Sequence, residues 1–294
     1  MNSEEVIHCP VCQGTQFREP LTCTDHTATK EVFHVKHCTQ CSLGITSPRP
    51  LLQFASRYYE SDKYISHGAK TIGTLDSIYL IIRHLTVRWK FRLVRPYLRT
   101  GALLDYGCGT GSFLEAAKKS QSRVQGVEPA PAARMKVASD IPVVATLEEL
   151  PPQKFDVITL WHVLEHVYPL RETLRSLKEK LNEHGAIFIA VPNRQSPDAQ
   201  HYNANWAAYD VPRHLWHFTK QSMATFLRQE GLRVVKILPM KLDAYYVGLL
   251  SERNAHPGSP GFVRMLRATW VAFRSNLAAR RETNYSSLIY VVQK

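Results

Sequence analysis

Asp105-Tyr106-Gly107-Cys108-Gly109-Thr110-Gly111-Ser112-Phe113 decides how this chain is read. The apolar run Ala102-Leu103-Leu104 ahead of it reads as a buried strand. Behind it, Ser112-Phe113-Leu114-Glu115-Ala116-Ala117-Lys118-Lys119 opens an amphipathic helix. The glycines therefore sit on a strand-to-helix turn, where an α/β sheet holds a ligand beyond the carboxyl ends of its strands. Gly107 and Gly109 let the backbone approach that ligand closely. The spacing is G-x-G-x-G, with Ser112 where a dinucleotide fingerprint has its third glycine. Alone, such a turn is equally a tight βα loop. A second strand, Val124-Gln125-Gly126-Val127, ends in Glu128, whose carboxylate can accept hydrogen bonds from both hydroxyls of a ribose. Together these residues describe a pocket for an adenosine-bearing ligand, with Asp105, Phe113 and Pro129 at its edges.

With these motifs in hand, the run from about 101 to 193 resembles a class I S-adenosylmethionine-dependent methyltransferase. The Asp105–Gly111 turn resembles that family's first motif, Glu128 its ribose-binding acid, and Phe155–Val167 its fourth-strand motif. A Rossmann dehydrogenase is the competing reading. The resemblance implies a seven-stranded Rossmann-like α/β sheet whose last strand runs antiparallel between strands 5 and 6. It also implies that Gly107 and Gly109 cradle the methionine part of the donor and Glu128 the ribose. The loop after strand 3 would line the adenine. Thr146 and Leu147 occupy it without the acid many members carry, so contact there would be apolar or through backbone. Strand 4 would deliver Trp161 and His162 to the ligand edge.

Length and the 44% hydrophobic content allow a sizeable core in one or two domains. No run approaches the length of a membrane span, and the polar N-terminus is not a signal peptide, so a cytoplasmic protein without a membrane partner is expected. The net charge of +12 concentrates modestly in 83–99 and 264–281, both amphipathic helices in pattern. A solvated basic face and a role with nucleic acid or anionic substrates are both consistent with it.

Cys9-Pro10-Val11-Cys12 and Cys38-Thr39-Gln40-Cys41 are C-x-x-C knuckles. Two such turns bring four thiolates to one tetrahedral site, which suits structural zinc and leaves no open coordination position. Disulfides are the rival account, disfavoured in a reducing compartment. The expected organisation is a zinc ribbon over 1–50, a helical lid and connector over 51–100, and the methyltransferase domain over 101–294 with an insertion at 241–282. Zinc-ribbon methyltransferases of small molecules, including sugar C-methyltransferases, carry a similar Tyr-Tyr segment. This implies a lid that points Tyr59 or Tyr64 inward; a connector with half-buried tyrosines is the alternative. Ile78, Ile81, Ile82, Leu85 and Trp89 recur at helical spacing and read as a core face.

His162-Val163-Leu164-Glu165-His166 spells H-x-x-E-H, a metalloprotease pattern, but it follows a strand and lacks a third ligand nearby. Some quinone-pathway O-methyltransferases have an acid-x-x-Glu-His pattern here that assists a divalent metal; His162 replaces the first acid. The helix over 169–182 would end at Gly185. Residues 194–218 show little regular pattern but carry Trp206, Tyr209, Asp210, Arg213, His214, Trp216 and His217. Long irregular segments in compact domains are usually functional. In sugar C-methyltransferases a histidine in a similar segment lies over the transferable methyl. His214 is the expected general base and His217 the second candidate, with packing beneath the loop as the plainer role for His217. The resulting expectation is methyl transfer to a small or medium-sized metabolite, anionic ones such as a sugar nucleotide included. The alternatives are an RNA methyltransferase, recognised by steep salt dependence, and a binding protein with a degenerate donor pocket.

Overall fold

The computed structural model describes residues 2–59, 85–120 and 122–294. Tyr64, Ile78, Ile81, Ile82 and the rest of the 60–84 lid segment lie outside the described residues. The chain opens with a small β-module: β1 (Ser3–Glu4), β2 (Phe17–Thr24), β3 (Val32–Cys38), β4 (Gly44–Thr46) and β5 (Arg49–Pro50). Strands β2, β3 and β4 form antiparallel hairpins, and β1 pairs with β5.

A seven-stranded sheet follows, made of β6 (Ala102–Tyr106), β7 (Arg123–Val127), β8 (Val143–Val144), β9 (Phe155–Trp161), β10 (Leu181–Pro192), β12 (Arg233–Pro239) and β13 (Ser287–Gln293). Its order is β12-β13-β10-β9-β6-β7-β8. Strand β13 runs antiparallel to both β10 and β12, while β6 to β10 are parallel where they pair. Continuous apolar strands belong in the middle of such a sheet because helices cover both faces. Accordingly every residue of Ala186–Val191 is buried. Phe91 and Val94, from helical residues 85–94, close one face against Leu103, Leu114 and Phe188.

Two sequence expectations change. Leu85, grouped with the core face, is 56% exposed, while Trp89 does pack on the core. The helix after β9 spans Leu170–Glu179, and Gly185 lies inside β10 rather than at a helix end. The register of β10 shifts between Leu181 and Ala186, and a Cβ at Gly185 would stand 2.8 Å from the Asp156 carbonyl oxygen. Glycine is there for close strand approach, not for capping.

The segment after β10 is more ordered than its composition suggests. It forms a helix Pro197–Tyr202, 3₁₀ turns Asn203–Asn205 and Ala207–Tyr209, and strand β11 (Trp216–His217). Buried Asp198 anchors it, accepting from Trp206 Nε1 at 2.9 Å, Ser275 Oγ at 2.8 Å and Ser286 Oγ at 2.6 Å. Strand β11 pairs with β4, so the N-terminal sheet takes its edge strand from the methyltransferase segment. Cys9, Val11, Leu43 and Ile45 share one apolar cluster with Leu215, Trp216 and Phe226. Thr219, a residue type that favours the N-cap position, then caps the helix Lys220–Gln229 through a reciprocal pair with Ser222. Two helices, Asp243–Ala255 and Gly261–Ala278, form a hairpin between β12 and β13.

Candidate active site

The glycine turn leaves β6 with Gly107 at φ +73° and Gly109 at φ +55°. A Cβ on Gly107 would meet Val163 Cγ2 at 2.5 Å, whereas nothing lies within 4 Å of one on Gly109. Gly107 is thus fixed by packing, and Gly109 forms an open floor. Glu128, at the tip of β7, reaches back over this floor. Gly109 N–H donates to its Oε2 at 2.8 Å and Ala130 N–H to its Oε1 at 2.9 Å. Asp105 is buried at the end of β6 and accepts from Thr159 Oγ1 at 2.6 Å. Burial drives its carboxyl up to about 7, with the Thr159 bond and Lys90 pulling the other way.

The end of β9 is a wall shared by two compartments. Trp161 packs edge-on to Phe113 of the helix after the glycine turn, at 5.3 Å between ring centroids, with Lys90 Nζ 4.6 Å above its ring. Phe113 is itself buried in the core. Pro129 and Thr146 are exposed, and Leu147 is buried in the main apolar cluster. His162 faces the other way and lines a cavity of about 340 Å³ together with Glu165, Asp210, His214, Asp243 and Tyr246.

His162 has φ 59°, and residues 164–166 make a single 3₁₀ turn. The H-x-x-E-H run therefore lacks the continuous helix that would align its histidines, and the metalloprotease pattern is not realised. His162 instead sits between Asp243, 3.1 Å from Nε2, and Glu165, 3.4 Å from Nδ1. Burial lowers its pKa, but bonding to Asp243 and then Glu165 outweighs this and raises it to about 9. It is an imidazolium at neutral pH. Glu165 is fully buried, and neither carboxylate oxygen has a hydrogen-bond partner of good geometry.

His214 Nδ1 lies 2.9 Å from the Ala208 carbonyl oxygen. A carbonyl only accepts, so Nδ1 carries a proton, and in the neutral ring Nε2 is the nitrogen that holds the lone pair. Its ring stands edge-on to His166, 4.5 Å between centroids. His166 Nδ1 meets the Arg213 carbonyl at 3.0 Å and the Tyr59 hydroxyl at 3.2 Å. Burial and then the neighbouring His214 lower His166 to about 4. Glu165, His166 and His214 each place a ligand atom within 4.8 Å of the others. His217, by contrast, belongs to β11 and is not part of the cavity lining. Thr46 Oγ1 donates to the His214 carbonyl at 2.7 Å and so accepts from His217 Nε2 at 2.9 Å.

Beneath the cavity, fully buried Arg213 joins three segments. Its Nη2 donates to Asp25 at 2.9 Å, its Nε to Asp210 at 2.9 Å and its Nη1 to the Tyr58 carbonyl at 2.9 Å. Burial would raise the Asp25 carboxyl, but Arg213 and the N–H groups of the following turn hold it down to about 2. Sequence reading did not pick out Lys90, Asp25 or Asp243. Charged residues that act across long sequence separations leave no local spacing to find.

The four cysteines Cys9, Cys12, Cys38 and Cys41 converge, with Sγ–Sγ distances of 3.5 Å for Cys9–Cys41 and 3.3 Å for Cys12–Cys38. The knuckles are alike: Gln13 N–H donates to the Cys9 carbonyl with φ 63°, and Ser42 N–H to the Cys38 carbonyl with φ 64°. None of the four is in a disulfide.

Sheet order, glycine turn and strand-tip acid define a class I S-adenosylmethionine-dependent methyltransferase. Residues 82–237, more than half of the chain, match a family described as a methyltransferase domain, and the chain belongs to that family. It is 30% identical over 176 residues to a ubiquinone biosynthesis O-methyltransferase of Pseudomonas aeruginosa, covering 53% of this chain and 74% of that protein. A mitochondrial enzyme of the same name from Schizosaccharomyces pombe is 35% identical over 104 residues, 31% of this chain and 38% of that one. Among solved structures, a SAM dependent methyltransferase from Archaeoglobus fulgidus covers 72% of this chain and 94% of its own at 23% identity, with a TM-score of 0.48. The open floor at Gly109 and the paired carboxylate oxygens of Glu128 suit S-adenosylmethionine.

Proposed function

We propose that this enzyme methylates a hydroxyl group of a small acceptor held in the 340 Å³ cavity, with His214 as general base. The observation that carries the reading is the Nδ1–H···O=C bond from His214 to Ala208, which in the neutral ring leaves Nε2 as the proton acceptor, with the buried Glu165 carboxylate close to the ring. Glu165 stabilises the imidazolium that forms when Nε2 takes the acceptor proton. When bound, S-adenosylmethionine supplies a methyl group on a sulfonium centre. Gly107 and Gly109 hold its methionine part, Glu128 its ribose, and Asp105 with Lys90 its charged amino-acid end. Trp161 closes the donor side, while Pro129, Thr146 and Leu147 form the nucleoside edge.

His162 is already charged and positions Asp243 and Glu165 rather than taking a proton. Tyr59 positions His166. His217 is assigned a structural role in the shared sheet. Three carboxylates and one arginine line the cavity beside Trp206, Tyr209 and Tyr246, which favours a neutral aromatic or polyol acceptor over an anionic one. The names of the two O-methyltransferases support oxygen as the methylated atom. The Cys9–Cys12–Cys38–Cys41 set is assigned to structural zinc, since a four-thiolate cluster of this size leaves no open position.

The test is a labelled-methyl assay over a panel of phenols and polyols, with donor and demethylated donor titrated calorimetrically. His214→Ala should lose turnover and keep donor affinity; wild-type turnover in that variant refutes the assignment. Convergence of Glu165, His166 and His214 supports a second reading in which the cluster holds a divalent cation. Saturable stimulation by Mg²⁺, lost in Glu165→Gln, would favour it.

A further inference from the structure

The helix Gly261–Ala278 faces the wrong way for a core helix. Its small residues Ala268, Ala272 and Ser275 are buried against the protein. Close packing needs them: the Cβ of Ala268 would lie 3.7 Å from a Cβ on Gly248 of the neighbouring helix. Its large apolar side chains point outward instead. Phe262 is 65% exposed, Leu266 53%, Trp270 60%, Phe273 51% and Leu277 50%. At 100° per residue these five fall on one arc of the helix, opposite the alanines. Trp270 and Phe273 stack on each other at 6.1 Å on that arc.

The charge around the stripe has one sign. From Arg253 to Arg281 the chain carries Arg253, Arg264, Arg267, Arg274, Arg280 and Arg281 and no aspartate or glutamate. Arg267 and Arg274 lie beside the apolar arc and are exposed. A second copy of this chain would set arginine against arginine across such a face. A nucleic acid would match the charge but leave the aromatic stripe in water. An exposed apolar face with Trp, Phe and Leu, bordered by arginine, matches the interface of a bilayer with anionic headgroups.

We propose that the helical hairpin is a docking surface for an anionic lipid bilayer, with Leu266, Trp270, Phe273 and Leu277 entering the headgroup boundary and the arginines binding lipid phosphates. No helix among the described residues is long and apolar enough to cross a membrane, so the contact is peripheral. The docking face and a wall of the cavity belong to one hairpin, because Tyr246 and Arg253 of Asp243–Ala255 line the cavity. It departs from the sequence expectation of no membrane partner. It stands independently of the acceptor assignment.

The experiment is co-sedimentation of the full chain with phosphatidylcholine vesicles, with and without phosphatidylglycerol. Binding should require phosphatidylglycerol and weaken with salt. Trp270→Glu/Phe273→Glu should lower partitioning by about tenfold or more, and Arg267→Glu/Arg274→Glu should remove the preference for phosphatidylglycerol. Melting temperature and calorimetric donor binding should stay at wild-type values in both, because these side chains are exposed; Trp270→Ala provides a milder variant read the same way. The proposal is overturned if vesicles are not bound, or if Trp270→Glu/Phe273→Glu binds them as wild type does. It is also overturned if sedimentation velocity shows a dimer that this pair of substitutions dissociates.

Discussion

The donor turn and the acceptor cavity share the end of β9 yet are built in opposite ways. The centre of the donor side comes from contiguous chain, residues 105–130, with Lys90, Thr146, Leu147 and Trp161 at its margin, and its key polar contacts are made by backbone N–H groups of Gly109 and Ala130 to one carboxylate. The cavity draws on segments near 24–27, 162–165, 204–214 and 243–254, and its polar groups are side chains balancing one another. A backbone cradle is specified by glycine and strand pattern alone. A cavity of side chains is specified by whatever holds its segments together, here Arg213, Asp198 and the β4–β11 pairing.

Breaking the cavity should cost most. His214→Ala is expected to lower kcat by about a hundred- to ten-thousandfold, the range for loss of a general base, with donor Kd unchanged. An equal loss of donor binding would erase the distinction between compartments.

Removing the strut beneath the cavity should destabilise the whole chain. Arg213→Ala leaves Asp25 and Asp210 without their cation, and about 3–5 kcal/mol of unfolding free energy should vanish in denaturant titration. Asp25 has its carboxyl lowered from 3.8 to about 2, so its contribution is present above the unfolded value and is lost as pH falls through about 2. Asp25→Asn should therefore flatten the acid limb of the stability profile.

On the donor side the effects should be smaller and confined to binding. Glu128→Ala should weaken donor affinity by roughly ten- to a hundredfold, read by calorimetry, with melting temperature little changed. Asp105, raised to about 7, should take up the donor's cationic end only when ionised. Affinity should then rise by about tenfold from pH 6 to pH 8, and Asp105→Asn should make it independent of pH over that range. A flat profile for the wild type would remove Asp105 from donor recognition.

Much of the fold was legible because its signals are local. The glycine turn, the strand-tip Glu128, the matching C-x-x-C knuckles and the Thr219 cap each depend on residues within a few positions, while the order of the strands followed from the family resemblance those motifs carry. His214 was legible as a candidate by residue type, but its tautomer depends on the Ala208 carbonyl. His217, three residues on, looks as reactive in sequence and is bonded into the N-terminal sheet through Thr46.

By itself the sequence determined a donor-binding α/β core and a four-cysteine module, since hydrophobic period and turn chemistry act over short stretches. Only tertiary structure decided that β11 completes the N-terminal sheet, that Arg213 ties Asp25 to Asp210, and that the helix after 260 turns its aromatics outward. Periodicity shows that a helix has two faces; which one is buried depends on the shape of the surface it meets. Here Gly248 admits only the small side of its partner.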